Sequence, residues 1–457
     1  MKVFLICFLL LSSYWATAKT ESEAGFTGLI AQYKQHYEFS GAVLVLKNGK
    51  PIFTDAQGYA DDVKLQEVTL LTLFDIGSIQ KDLTAILVLQ AYDNGLLELE
   101  DTLDKFSLGF SDPKSNKITI KQLLEHRSGF ADVFTAEYRK NPRKYTNIAE
   151  TLDILRRQPL LFDPGTERKY SNYGYLVLGA ILEKVTKQDY WALLEKNVLQ
   201  PSRTVLETKQ SGHDPMALPY HFSYEGKRQL VDQNMLEHKS PAGGGHLTVY
   251  ELYAVYQQLF NQKKLLSDSS MQVFRMLQKD QGQWLAFGGG AGVSTAVEID
   301  FINDIWVIVL ANIDRFVAEE LSSRLRSLAV SGQYARVQQL PATLFAYQQY
   351  QELGDKLFVT QFDAVYKKAG YQTFLGKTIT DLARELIAAG NAENSIYFFR
   401  YLTDKYPAHA EVYDGLAHGY FSAGHYEEAK AAFAKAKALD PDYDSQFNTS
   451  NYEAKYQ

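Results

Sequence analysis

The stretch FDIGSIQKDLTAILVLQ, residues 74–90, decides the fold. Asp75-Ile76-Gly77 reads as a turn, residues 83–90 read as a strongly apolar helix, and Asn94-Gly95 ends it. Ser78 opens this helix and Lys81 follows three residues later, so the two side chains share one face, one turn apart. A serine hydroxyl is a weak nucleophile and needs a base beside it. A helix N-terminus also favours the negative charge that develops there. The spacing alone carries little information, because about one or two Ser-x-x-Lys matches arise by chance in a chain this long. The second copy, Ser111-Asp112-Pro113-Lys114, has a proline inside it and no apolar stripe after it, and reads as a loop.

A base and a nucleophile need a group to relay the proton, and Tyr-x-Asn is a candidate. Three copies occur. Tyr92-Asp93-Asn94 lies on the Ser78 helix, 14 residues on. At about 1.5 Å per residue that is roughly 21 Å away, too far to share a site. Tyr145-Thr146-Asn147 lies in a polar, basic stretch and reads as a helix cap. Tyr170-Ser171-Asn172 follows the turn Asp163-Pro164-Gly165-Thr166 and precedes the apolar helix 174–185, so it sits on a fixed loop at a helix start. An oxyanion needs backbone N–H donors from a closely approaching strand, and glycine permits that approach. Gly243-Gly244-Gly245 leads into a helix near Thr248, whereas Gly288-Gly289-Gly290 leads into a strand at 293–300, which makes the second triplet the better candidate.

Around these motifs, a helix fits residues 26–37 and strands fit 41–46 and 51–54, joined by the Asn48-Gly49 turn. Residues 294–300 and 306–310 read as a second strand pair, turned by Asn303-Asp304. The middle is helical over 81–95, 118–126, 148–158, 172–187 and 248–261. Strands from both ends of the region 40–312 forming one antiparallel sheet, with helices between, is an α+β arrangement. Further on, Gly390 and Gly424, Phe399 and Phe433, and Pro407 and Pro441 are each 34 residues apart. That period is the tetratricopeptide repeat's, and 410–441 resembles one unit of it closely, with a weaker unit before.

Length and composition agree. A chain of 457 residues exceeds one ordinary core, and 46% hydrophobic with 22% charged residues is a globular balance. The net charge of −7 argues against a nucleic-acid partner, which needs a basic face. Lys2, the apolar run 3–11 and Ala16-Thr17-Ala18 read as a signal peptide cleaved near Ala18, too short for a stable membrane span. The sole cysteine, Cys7, lies inside it, so the mature chain has no thiol, disulfide or Cys metal site. Export of a cysteine-free chain points to the periplasm or the medium. No histidine pair has metal-ligand spacing, so neither metal nor other cofactor is expected. The expected order is signal peptide 1–18, a first domain 19–330 that holds the motifs above, helical linker or cap 331–372, repeats 373–443 and polar tail 444–457.

Residues 74–81, the run Gly95-Leu96-Leu97-Glu98-Leu99 with Asp101, Gln122-Leu123-Leu124-Glu125-His126-Arg127-Ser128-Gly129, Pro164-Gly165-Thr166, 170–175, Pro241-Ala242-Gly243-Gly244 and the strand pair 293–312 together resemble the β-lactamase-related serine hydrolases, in family order over about 26–330. That group contains class C β-lactamases, D-alanyl-D-alanine peptidases and esterases. The resemblance implies an antiparallel sheet flanked by helices, with the repeats as a second, all-α domain. It implies that Ser78 is acylated, Lys81 helps deprotonate it, Tyr170 relays the proton, and Asn172 orients Lys81 and the substrate. Backbone N–H groups of Ser78 and of a residue near Gly290 would bind the oxyanion. The family's third motif begins with Lys or His, and here Phe287-Gly288-Gly289-Gly290 stands in its place, one residue short before Val293. The cation that holds a substrate carboxylate in relatives is absent, which favours neutral ester or amide substrates, small molecule or peptide. It also opens a second reading, a catalytically impaired chain that binds a peptide, a protein or itself through residues 373–443.

Overall fold

Residues 41–46, GAVLVL, carry no polar side chain, the mark of a strand covered on both faces. They form β1 (Gly41–Lys47), which turns at Asn48-Gly49, both in the left-handed region, into β2 (Lys50–Gln57). The computed structural model of the chain describes residues 23–445 except 211, 233, 235, 279, 339, 372, 442 and 444. The leader-like segment 1–18 and most of the tail 444–457 lie outside the described residues. The other strands that matter here are β3 (Thr72–Asp75), β4 (His246–Leu247), β5 (Gln283–Gly290), β6 (Val293–Asp300) and β7 (Ile305–Ala311). The main sheet runs β5-β6-β7-β1-β2, antiparallel throughout, with Val45 opposite Val307 and Gly288 opposite Thr295. Strands from the two ends of the domain thus share one sheet, as the sequence pattern requires. The edge strand β5 is the element that pattern does not reveal, because its second half is glycine.

The helices that matter here are α1 (23–37), α2 (Gln80–Asp93), α3 (Ile120–Leu124), α4 (Asn172–Thr186), α5 (Val249–Tyr256) and α6 (Val317–Ser331). α1 and α6 cover one face of the sheet: Phe26 stacks on Phe53, Arg324 donates to the Tyr33 hydroxyl, and Ser322 donates to Glu298. On the other face Leu44, Leu46, Val297, Ile308 and Leu310 join Leu83, Ile86 and Leu252 in one core. Trp284 of β5 donates its indole N–H to Asp82 at 2.9 Å, tying the edge strand to α2. Among the described residues no helix is long and apolar enough to cross a membrane.

The chain divides into two compact units, Met1–His221 with Leu230–Val337, and Phe222–Gln229 with Gln338–Gln457. The second contains α7 (Ala342–Lys368, broken at Gly354), α8 (Leu375–Ala388), α9 (Ala392–Lys405), α10 (Ala410–Ala423) and α11 (Tyr426–Leu439). α8–α9 and α10–α11 are successive helical hairpins. Gly390 and Gly424, the 34-residue pair, both adopt positive φ where the first helix of each hairpin ends. Phe358, Phe362, Phe398, Phe399, Leu402 and Leu416 form this unit's own core.

The tightest backbone approach in the first unit is between the turn before α2 and β5. A Cβ on Gly288 would fall 2.2 Å from the Ile76 carbonyl oxygen and 2.4 Å from Thr295 Oγ1, while one on Gly289 would meet nothing closer than 3.9 Å. Gly288→Ala should therefore lower unfolding stability by about 1–3 kcal/mol, as overpacking does. Gly289→Ala, its neighbour, should cost much less. Chemical denaturation of the two variants measures the contrast, and equal losses would contradict the close approach.

Candidate active site

Ser78 sits where β3 meets α2. Gly77 adopts φ 50° and its N–H donates to Asp75 Oδ1 at 2.7 Å, which turns the chain sharply into a single 3-10 turn, Gly77–Ile79. α2 then continues from Gln80, so the hydroxyl stands at the helix start. Ser78 is half-buried and lines a cavity of about 1090 Å³ together with Tyr170, Asn172, Gly289 and Gly290.

Lys81 is buried at 5% exposure, one turn further on. Its Nζ donates to Ser78 Oγ at 3.0 Å and to the Ala242 carbonyl at 2.6 Å. The ammonium lies 4.9 Å from the Tyr170 ring centre and 5.9 Å from that of Tyr175. Loss of water lowers its pKa to about 7, with Asp132, Glu237 and Asp82 pulling the other way. Near neutral pH a large share of Lys81 is thus an uncharged amine with a lone pair.

The Tyr170 hydroxyl donates to the same Ser78 Oγ at 2.8 Å. Its own pKa is raised to about 12, chiefly by desolvation, so it remains a phenol at physiological pH. Ser171 caps α4 by accepting from Gly174 N–H, and its hydroxyl donates to the Ala131 carbonyl, which fixes the loop that carries Tyr170. The structure therefore joins Ser78, Lys81 and Tyr170 around one oxygen. Asn172 lines the same cavity, but its Nδ2 donates to both carboxylate oxygens of Asp132, at 3.2 and 3.1 Å, and makes no hydrogen bond to Lys81.

The Gly-rich segment divides by face. In the β5–β6 register Gly288 pairs with Thr295, whose hydroxyl donates to the Ile76 carbonyl, so this face meets the nucleophile turn. Phe287 pairs with Ala296, between Ser294 and Glu298, whose side chains bond to α6. Phe287 therefore points to the α6 face, is 40% exposed, and does not line the cavity. The expectation that Phe287 occupies the third-motif position facing the substrate is corrected: the residue before Gly288 on the nucleophile's face is Ala286. Neither residue supplies a cation. A Cβ on Gly77 would stand 2.9 Å from Gly288 and from Gly289 N, so the two backbones touch, and Gly289 and Gly290 reach the cavity.

Three features escaped the sequence reading. Gly243-Gly244-Gly245 also lines the cavity; the flanking Pro241 and Ala242 carbonyls accept from Thr84 and Lys81 of α2, at 2.7 and 2.6 Å, and the Gly245 carbonyl accepts from Ile76 N–H in the turn before that helix. The two glycine triplets, weighed as competitors, lie on either side of one turn. Tyr145-Thr146-Asn147 lines the cavity too, with Asn147 capping a short helix as expected. Asp132 and Glu237 place carboxylates within electrostatic reach of Lys81. Only spatial proximity marks these residues. Among the described residues no group of three His, Cys, Asp or Glu side chains is placed to hold a metal ion.

Residues 26–330 match a family model described as β-lactamase, and residues 386–449 match one described as tetratricopeptide repeat. Penicillin-binding protein 4* of Bacillus subtilis is 28% identical over 173 residues, 37% of each chain. Protein flp of Staphylococcus aureus is 31% identical over 164 residues, 35% of this chain and 32% of that one. These alignments span about a third of the relatives' own length. Among solved structures, the octameric penicillin-binding protein homologue from Pyrococcus abyssi aligns with TM-score 0.60 and 19% identity over 72% of this chain and 81% of that one. EstCE1, a hydrolase with promiscuous acyltransferase activity, aligns with TM-score 0.55 and 19% identity over 68% of this chain and 97% of that one. The D-amino acid amidase from Ochrobactrum anthropi aligns with TM-score 0.55 and 17% identity over 68% and 99%. At these identities the structures establish the fold: the chain belongs to the β-lactamase family and carries a tetratricopeptide repeat in its C-terminal unit.

Proposed function

We propose that the protein is a serine hydrolase that passes through an acyl-enzyme on Ser78. The observation that carries this reading is the pair of short contacts on one oxygen, Lys81 Nζ at 3.0 Å and Tyr170 OH at 2.8 Å, at the wall of an open cavity. Lys81, as the neutral amine, takes the Ser78 proton while Oγ bonds to the acyl carbon. The negative charge then grows on the carbonyl oxygen, where the N–H groups of Ser78 and of Gly289 or Gly290 are suited to bind it. The bond to the leaving group breaks with its electron pair, and the leaving atom takes the proton of Tyr170. The phenolate recovers a proton from the Lys81 ammonium, and water releases the acyl group by the reverse relay. Lys81 suits the part of base better than Tyr170, because desolvation brings an amine toward neutrality and keeps a phenol protonated.

With no cation at Ala286 or Phe287, neutral esters and amides suit the cavity better than substrates that need their carboxylate held. The leader-like start 1–18 supports an exported enzyme, and the repeats, 373–443, support a second role in holding a peptide, a protein partner or another copy. An impaired, purely binding protein is the competing reading, and the absent cation favours it.

A serine-reactive fluorophosphonate should add one adduct to the intact mass, located on Ser78. Unchanged labelling of Ser78→Ala would reject the mechanism. The rate of labelling should rise with pH through about 7, as Lys81 loses its proton, since the depressed amine is charged and unable to accept below that point. A rate flat from pH 5 to 9 would remove Lys81 as base. Neutral short-chain esters should also exceed cephalosporins and D-Ala-D-Ala peptides in kcat/KM. The reverse order would mean that another residue supplies the missing charge.

A further inference from the structure

We infer that His126 is the positioning residue of the proton relay, holding Tyr170 at the serine by bracketing it along the backbone and stacking on its ring. The inference rests on the relay role proposed for Tyr170. Three contacts converge on this one residue. The His126 carbonyl accepts from Lys169 N–H at 2.9 Å, and its Nδ1 accepts from Ser171 N–H at 3.3 Å. The residues on either side of Tyr170 are therefore both bonded to His126. Its imidazole lies 4.5 Å from the Tyr170 ring at an interplanar angle of 29°, and 5.1 Å from the ring of Tyr175. The same two aromatic rings flank the Lys81 ammonium. One imidazole thus sets the position of both rings that flank the base.

The backbone explains why a histidine does this. His126 adopts φ 57°, in the left-handed region, just after the short helix α3. Histidine is among the side chains enriched there. The conformation lets carbonyl and side chain act on one neighbouring loop. Further bonds lace the same two segments together, Gly165 N–H to the Arg127 carbonyl at 2.8 Å and Ser171 Oγ to the Ala131 carbonyl at 3.0 Å. An Nδ1 that accepts must carry no proton, so the tautomer is Nε2–H. Burial, with the cations Lys81 and Arg168 beside it, lowers the His126 pKa to about 4 and keeps that acceptor available. A neutral ring is also the one that does not repel Lys81.

A positioning role for the acid has a signature that general damage lacks. Tyr170 protonates the leaving group, so its displacement must hurt poor leaving groups and spare good ones. The test uses the full-length protein and kcat/KM, which reports the steps through acylation. Two variants separate the contacts. His126→Asn tolerates the left-handed backbone and keeps an acceptor but loses the stack. His126→Phe keeps the stack but leaves the Ser171 N–H without its partner. Each should lower kcat/KM for simple alkyl esters at least about tenfold more than for the matching p-nitrophenyl esters, within the usual range for a general acid. Equal losses for both leaving groups, or no loss, would overturn the role. The wild-type protein offers a check that no folding defect can obscure: nitrogen NMR at pH 7, with His126 assigned through its contacts to the Tyr170 and Tyr175 rings, should show an unprotonated Nδ1. A proton on Nδ1 would overturn the role equally. Wild-type protein that fails to label at Ser78 rejects the hydrolase reading itself, whereas labelled wild type with unchanged leaving-group dependence in the variants rejects only His126.

Discussion

The site depends on keeping one amine out of water. Lys81 stands on a helix that is apolar from Leu83 to Leu89 on nearly every side, and burial there is what frees its lone pair. Such burial is costly unless the amine's protons find partners. Here they find the Ser78 hydroxyl and the Ala242 carbonyl, while the faces of Tyr170 and Tyr175 lie where a charge on the amine would be offset. Asp132, Glu237 and Asp82 oppose the drop in pKa without touching the amine. A carboxylate bonded directly to Nζ would hold the amine protonated, with no lone pair to accept a proton. Asp132 instead accepts from Asn172 Nδ2 on both carboxylate oxygens.

The second constraint is the contact of two backbones. Gly77 and Gly288 lie so close that neither has room for a side chain, and this contact brings the N–H groups of β5 beside the nucleophile. Thr295 fastens it by donating to the Ile76 carbonyl and also lies within hydrogen-bond distance of the Gly288 carbonyl, at 3.0 and 3.1 Å. The register that makes this contact also sends Phe287 to the α6 face. The missing cation is thus not replaced by an aromatic wall of the cavity. On the nucleophile-turn face the residue before Gly288 is Ala286, which is buried in the core and carries no charge.

Much of this was legible in the residues, for physical reasons. Ser78 and Lys81 could be paired because helix geometry makes residues three apart neighbours, and Tyr170 because a strong turn and an apolar helix fix its loop. The sheet could be assembled because residues 41–46 carry no polar side chain and 306–310 form a continuous apolar run. What stayed illegible depends on register or on packing between distant segments. β5 lacks the alternation of a strand because its face toward Ile76 must be glycine. Phe287 was assigned by its place in a motif, and a shift of one residue moves a strand side chain to the other face. The triplet at 243–245 resembles any turn until the bonds from Thr84, Lys81 and Ile76 are seen. In the sequence His126 is one residue of the run 122–129, with nothing to mark it apart. Its importance lies in which loop it holds.

The same reasoning bears on how separable the two units are. By sequence the break falls near Ser331, after the last strand and before the helical region. By packing, residues 222–229 belong with the C-terminal unit: Tyr224 lies 4.7 Å from the Tyr347 ring, edge to face, and joins the core of Phe358 and Phe362. A chain cut at 331 would keep this hairpin and lose the residues that bury it. Exposing Tyr224 and its neighbours removes apolar burial without touching Ser78, so loss of activity in such a truncation need not mean that the repeats build the site. Trimming residues 222–229 together with the C-terminal unit respects the packing and is the cleaner cut. The chemistry then stands or falls on the contacts of Lys81, Tyr170 and β5, which all lie within the first unit.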